Sequence, residues 1–137
     1  SHAVMEVSSH SLILNRVYGL NFIAGVFSNI TSDHLDFHQT FEEYLKAKKI
    51  LFDELSNDSF AIINSDDASG KDIVKNSRAK IVTYGMSEYS DYRIKDIRYD
   101  LNGTEFTITH NKVDYIINTS LIGTFNAYNA NLAHFCQ

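Results

Sequence analysis

Proline does not occur in this chain of 137 residues, although about seven would be expected at average usage. The sequence offers no physical account of that absence. Cysteine occurs once, as Cys136, so no internal disulfide can form and a reducing cytoplasm is the natural compartment. Long apolar runs are missing too. No stretch reaches the roughly 18 apolar residues of a membrane span, and no signal-peptide pattern opens the chain, so no membrane partner is expected. Positive charge is scarce: 12 Lys and Arg stand against 17 Asp and Glu, a net charge of −5. That balance argues against a nucleic-acid surface but leaves room for a local phosphate site. Internal repeats and low-complexity linkers are absent as well.

What is present is ordinary for a soluble globular domain. The hydrophobic fraction is 44 %, and the length suits one domain with a real core. The chain begins almost directly in an apolar segment, Ala3 to Val7, and stops just after a helical one, Asn126 to Phe135. It therefore reads as a fragment of a longer protein.

Two halves differ in period. In the first, Ala3–Val7, Gly25–Ile30, Phe60–Asn64 and Lys80–Tyr84 read as buried strands. Between them lie a short helix near Ser11–Arg16, a long one over Phe41–Leu55 and a weaker one over Ala68–Asn76. Thr40 with Glu43 three residues on forms a capping box for the long helix. Continuous apolar strands alternating with helices predict an α/β fold with a mostly parallel sheet. In the second half, Tyr92–Tyr99, Thr104–His110 and Val113–Ser120 are joined by Asn102-Gly103 and Asn111-Lys112. Asn-Gly is a strong hairpin signal, so these strands predict a small antiparallel sheet appended to the parallel one.

The long helix carries the most informative residue. At 100° per residue Phe41, Tyr44, Leu45, Leu51, Phe52 and Leu55 share an arc about 120° wide, and Lys48 lands near its centre. Lys46 and Lys49 fall outside it. An ammonium buried without a partner is costly, so a lysine there pairs, loses its proton or snorkels outward. A neutral amine can add carbon dioxide to become a carbamate, an anion able to bind a metal.

Three strand exits hold further candidates. In open α/β sheets ligands bind beyond the carboxyl ends of strands. Glu6, followed by Ser8, Ser9 and His10, is placed there either to hold magnesium or as a polar exit in which Ser8 or Ser9 caps the next helix. Asp33-His34-Leu35-Asp36-Phe37-His38 puts two histidines and two aspartates within six residues, which could hold zinc, manganese or magnesium. Asn64-Ser65-Asp66-Asp67 reads as an Asx turn rather than a catalytic group. Gly70-Lys71 is not a phosphate loop, because Ser65 stands where the first glycine is required and Asp72 replaces the hydroxyl residue. Asn126 and Asn129, three apart, could read a purine edge or cap their helix.

Together these segments resemble the central, ATP-binding domain of the Mur ligases, and most of all those that add the third amino acid of the peptidoglycan stem peptide. The resemblance is carried in order by Glu6-Val7-Ser8-Ser9-His10, Asn15-Arg16-Val17, Phe27-Ser28-Asn29-Ile30, the run Asp33 to His38, Ala47-Lys48 and Gly123-Thr124-Phe125-Asn126 with Tyr128-Asn129. It implies a P-loop-type central domain without its first strand and its Gly-Lys-Thr loop, and without the flanking UDP-binding and amino-acid-binding domains. ATP and Mg2+ are the implied cofactors. Glu6, His34 and a carbamylated Lys48 would hold the metal, with Lys48 and His34 catalytic. Ser8 and Arg16 would contact a UDP-muramoyl dipeptide, Arg16 through its planar fork. Asn126 and Asn129 would face adenine, and Asn29 and Asp33 would support the site. The second substrate would be a diamino acid, diaminopimelate or lysine. Leu14 departs from the family, which often has Gln there, so one substrate hydrogen bond is lost. Alone the chain is expected to be inactive. Competing readings are another ligase of the Mur and folylpolyglutamate superfamily, a metal-dependent hydrolase built on the Asp/His cluster, and a scaffold without chemistry.

Overall fold

The structure, a computed structural model, describes residues 3–30 and 40–135, with side chains to residue 130. Its elements run α1 (Ser9–Ile13), β1 (Ala24–Phe27), α2 (Phe41–Glu54), β2 (Phe60–Asn64), α3 (Gly70–Ile73), β3 (Lys80–Gly85), β4 (Tyr92–Asp100), β5 (Gly103–His110), β6 (Val113–Thr119) and α4 (Thr124–Phe135). The strands follow sequence order in the sheet, β1-β2-β3-β4-β5-β6. Helices α2 and α3 connect neighbouring strands in the first half, the crossover arrangement that parallel strands need. The fold class is the expected one, a mostly parallel sheet with helices that also carries antiparallel strands.

Two compact units divide the chain: Ser1–Ile62 with Ser69–Ile81, and Ile63–Ala68 with Val82–Gln137. In the first unit α2 begins as its capping box requires, with Thr40 Oγ1 accepting from the Glu43 amide at 3.2 Å. Its apolar face packs on β1. Phe52 meets Phe27 edge-on with ring centroids 6.5 Å apart, and a Cβ on Gly25 would lie 3.2 Å from Leu55 Cδ1 and 3.3 Å from Phe52 Cε1. Glycine at 25 therefore lets helix and strand approach closely. Ser77 Oγ donates to the Phe52 carbonyl at 2.6 Å, tying the turn after α3 to α2.

One expectation fails here. Ala3–Val7 forms no strand, and Val4 and Met5 are 82 % and 51 % exposed. An apolar segment becomes a strand only when a neighbour completes its hydrogen-bond ladder, and among the described residues none pairs with it. The short helix begins two residues earlier than expected, because Ser8 Oγ accepts from the Ser11 amide at 3.2 Å and starts the turn there. The weak helix over Ala68–Asn76 shrinks to Gly70–Ile73.

In the second unit the antiparallel strands join β3 through a parallel pair, Tyr84 with Tyr92 and Gly85 with Arg93. The β4–β5 register shifts between Lys95 and Arg98, where Asp96 takes φ +53°, as at a bulge. The β5–β6 turn places both Asn111 and Lys112 at positive φ, +51° and +65°, matching a type I′ hairpin. At the other hairpin Asp100 pairs with Gly103, so the turn centres on Leu101-Asn102, and Asp100 Oδ1 accepts from the Asn102 amide at 2.7 Å. Tyr84, Ile94, Phe106, Ile108 and Ala127 form the core of this unit.

Thr104 is a polar residue inside that core. It is 2 % exposed, donates to the Leu121 carbonyl at 2.7 Å and accepts from the Gly123 amide at 2.9 Å. It thus fixes the segment that leads into α4. Thr104→Val keeps the shape but orphans both backbone groups, and should lower the unfolding free energy in urea by about 1–3 kcal/mol. An unchanged midpoint would show that water replaces the hydroxyl without cost.

Candidate functional site

In the first unit, Lys48 sits on α2 where the periodicity puts it. The side chain is half-buried, its Nζ 5.2 Å from the centroid of the Tyr44 ring one turn earlier. Burial lowers its pKa, and the Glu6 carboxylate opposes that shift electrostatically. Glu6 and Lys48 are therefore brought within each other's field, although Glu6 lies on a segment with no regular structure. Lys46 is exposed as expected, and Lys49 pairs with Asp53 four residues on. Burial thus pushes the Lys48 amine toward its neutral, nucleophilic form.

Ser8 takes the capping role that was one of its two readings, with Oγ bonded to the Ser11 amide and hydroxyl. Arg16 is exposed, next to Asn15 at φ +53°. Asn29 is exposed, and His34, with the rest of the Asp33 to His38 run, lies outside the described residues. Among the described residues no group of three His, Cys, Asp or Glu is arranged to hold a metal. The Glu6 carboxylate is an oxygen donor of the kind magnesium prefers.

In the second unit, α4 carries Asn126 and Asn129. Asn126 Nδ2 donates to the Ile122 carbonyl at 2.8 Å, which leaves its carboxamide oxygen without a bond in this local contact. Asn129 is exposed. The Asx turn read at Asn64 is present, with Asn64 Oδ1 accepting from the Asp66 amide at 3.0 Å. Asp66 then does something the sequence did not suggest. Its carboxylate accepts from the Tyr128 hydroxyl at 2.7 Å and from the Met86 and Ser87 amides at 2.6 and 3.2 Å. The only available signal was a tyrosine between the two asparagines of α4.

A model of the Mur ligase middle domain matches residues 1–136. The chain is 49 % identical over 129 residues to UDP-N-acetylmuramoyl-L-alanyl-D-glutamate--2,6-diaminopimelate ligase of Cytophaga hutchinsonii, covering 94 % of this chain and 26 % of that protein. A Clostridium acetobutylicum ligase of the same name is 44 % identical with the same coverage of both chains, 94 % and 26 %. A solved structure of a ligase of that name superposes with a TM-score of 0.85 at 34 % identity, over 95 % of this chain and 28 % of its own. The chain spans about a quarter of the length of these curated relatives.

Proposed function

Because the chain belongs to the Mur ligase middle-domain family, we propose that it is the ATP-binding part of a ligase that joins 2,6-diaminopimelate to UDP-N-acetylmuramoyl-L-alanyl-D-glutamate. The observation that carries this reading is Lys48: a half-buried amine with a lowered pKa, in the field of Glu6, within a chain that matches the family from residue 1 to 136. The relatives' names favour diaminopimelate over lysine as the incoming amino acid. A cytoplasmic setting fits a chain with a single cysteine and, among the described residues, no helix long and apolar enough to cross a membrane.

The chemistry runs in two steps. The γ-phosphoryl group of ATP passes to a carboxylate oxygen of the UDP-linked dipeptide, giving an acyl phosphate and ADP. The diaminopimelate amine then attacks the acyl carbon, an amide bond forms, and phosphate leaves with the bonding pair while the amine loses a proton. Charge accumulates on phosphoryl oxygens, so preorganised cationic and dipolar groups supply most of the stabilisation. Bound magnesium would neutralise part of that charge, held by Glu6, His34 and a Lys48 carbamate.

The Lys48 ammonium first gives up one proton; the neutral amine then adds CO2 through a new N–C bond and releases a second proton, leaving a carbamate anion. Burial promotes the reaction by favouring the neutral amine. Arg16, exposed on the unit that holds Glu6, offers a planar fork to a carboxylate of the dipeptide. Asn126 and Asn129 present donor and acceptor edges suited to adenine. The test is an assay of the full-length protein. Sustained ADP release over many turnovers should require ATP, the UDP-linked dipeptide and diaminopimelate together. ATP-independent hydrolysis of the dipeptide would overturn the ligase reading.

A further inference from the structure

The three bonds to the Asp66 carboxylate do not belong to the chemistry just described. A carboxylate offers about four acceptor positions. Here one oxygen takes both the Tyr128 hydroxyl at 2.7 Å and the Met86 amide at 2.6 Å, and the other takes the Ser87 amide at 3.2 Å. So engaged, the group is aimed at its own unit and is poorly placed to bind a cation.

Neighbouring residues hold it there. The Asp66 amide bonds Asn64 Oδ1, which sets the turn, and Ser65 Oγ donates to the Tyr84 carbonyl at 3.1 Å. Gly85 has φ +152°, and a Cβ there would lie 2.6 Å from both Asp66 Oδ2 and Ser65 Oγ. The absence of a side chain at 85 is what lets the carboxylate descend onto the next amide.

Tyr128 forms the other end. Its ring stands edge-on to the fully buried Tyr84, with centroids 6.2 Å apart. Burial first, and the Asp66 carboxylate second, hold its hydroxyl proton more firmly than usual, so it remains a donor at neutral pH. On a helix Tyr128 lies about 160° around the axis from Asn126 and about 100° from Asn129. Anchoring Tyr128 therefore fixes α4 by one face and leaves the two carboxamides on another.

We propose that Asp66 is a positioning residue for the nucleotide: it ties the loop after β3 to Tyr128 and so sets the orientation in which α4 presents Asn126 and Asn129. This inference rests on the reading that those asparagines face adenine.

The test uses the full-length ligase. Tyr128→Phe removes only the hydroxyl and keeps the ring against Tyr84. The KM for ATP should rise about three- to tenfold, the scale of one net hydrogen bond. The turnover number and the KM values for the dipeptide and diaminopimelate should stay within about twofold, since no group that touches them has moved. Asp66→Ala should raise the ATP KM at least as much, and adding Tyr128→Phe to it should have no further effect, because the two act through one bond. A purely structural role would instead lower the melting temperature and shift all three KM values together.

An unchanged ATP KM in Tyr128→Phe, or additive effects in the double variant, overturns the proposal. Asn126→Ala separates the two layers. If it raises the ATP KM while Tyr128→Phe does not, only the positioning role fails. If neither variant changes it, the adenine-facing reading of α4 fails as well.

Discussion

Lys48→Ala in the full-length protein is expected to lower ligase turnover by roughly two to three orders of magnitude, the loss seen when one preorganised group at a developing charge is removed. The expectation follows from charge. A cationic lysine could not serve as a metal ligand, and an alanine supplies no oxygen donor. Added bicarbonate should not restore the activity of Lys48→Ala, because no amine remains to trap CO2. In the unmodified protein, 13C-bicarbonate should produce a carbamate carbon resonance that Lys48→Ala lacks. Carbamate formation releases a proton and needs the neutral amine, so its occupancy should rise with pH and fall as the pH drops through the lowered pKa of Lys48. Near-normal turnover in Lys48→Ala would remove this residue from the mechanism, and an unlabelled Lys48 in active enzyme would remove the carbamate.

Much of the architecture was readable because local signals agreed with one another. The capping box at Thr40 and the apolar stripe of α2 placed that helix within a residue at its end. The β2 strand matched from Phe60 to Asn64, and the turn residues of the second half announced its hairpins. The failure at Ala3–Val7 is equally physical. Apolar character at 4 and 5 shows what a segment would bury, whereas a strand also requires a neighbour with free amides and carbonyls. That information is not local to five residues. The shift of the β4–β5 turn onto Leu101-Asn102 has a similar origin. Asn-Gly was the stronger dipeptide, but Gly103 is needed one place later, as the first residue of β5.

The candidate site was legible only in part. Periodicity placed Lys48 among the apolar residues of α2, and the structure agrees about its burial and adds the field of Glu6, which no spacing rule could supply across more than forty residues. Tyr44, the ring beneath the amine, was visible as a stripe member but not as its contact. The sequence marks Asp66 as a turn residue, and its amide does bond Asn64 Oδ1. Its side-chain role depends on Tyr128, sixty-two positions later, and pairings at such separation leave no mark in composition or period. Ser8 shows the reverse case, a motif residue whose hydroxyl also does an ordinary helix-capping task.

Gly103→Ala should be the most damaging single-methyl change in the second unit. The residue has φ +148°, and a Cβ would lie 2.1 Å from the Thr119 carbonyl oxygen and 3.1 Å from Ser120 Cα. Both atoms belong to backbone and cannot rotate away. Strained dihedrals cost about 1–3 kcal/mol and overpacking adds about 1–3 more, so a loss of roughly 4 kcal/mol is expected. The strand that must yield is β6 at Thr119, which pairs with Thr104, the same residue whose hydroxyl holds Leu121 and Gly123 ahead of α4. The damage should therefore spread to the start of the helix that carries Asn126. Hydrogen exchange on the full-length protein reads this directly: amides of the β5–β6 ladder should lose protection by about three orders of magnitude. Gly19→Ala is the matched control. Its φ is +80° with nothing within 4 Å of the added methyl, so only the backbone cost of about 1–2 kcal/mol applies. If the two substitutions proved equally mild, the close approach of β5 to Thr119 would not exist in solution, and the route by which Thr104 steadies α4 would go with it.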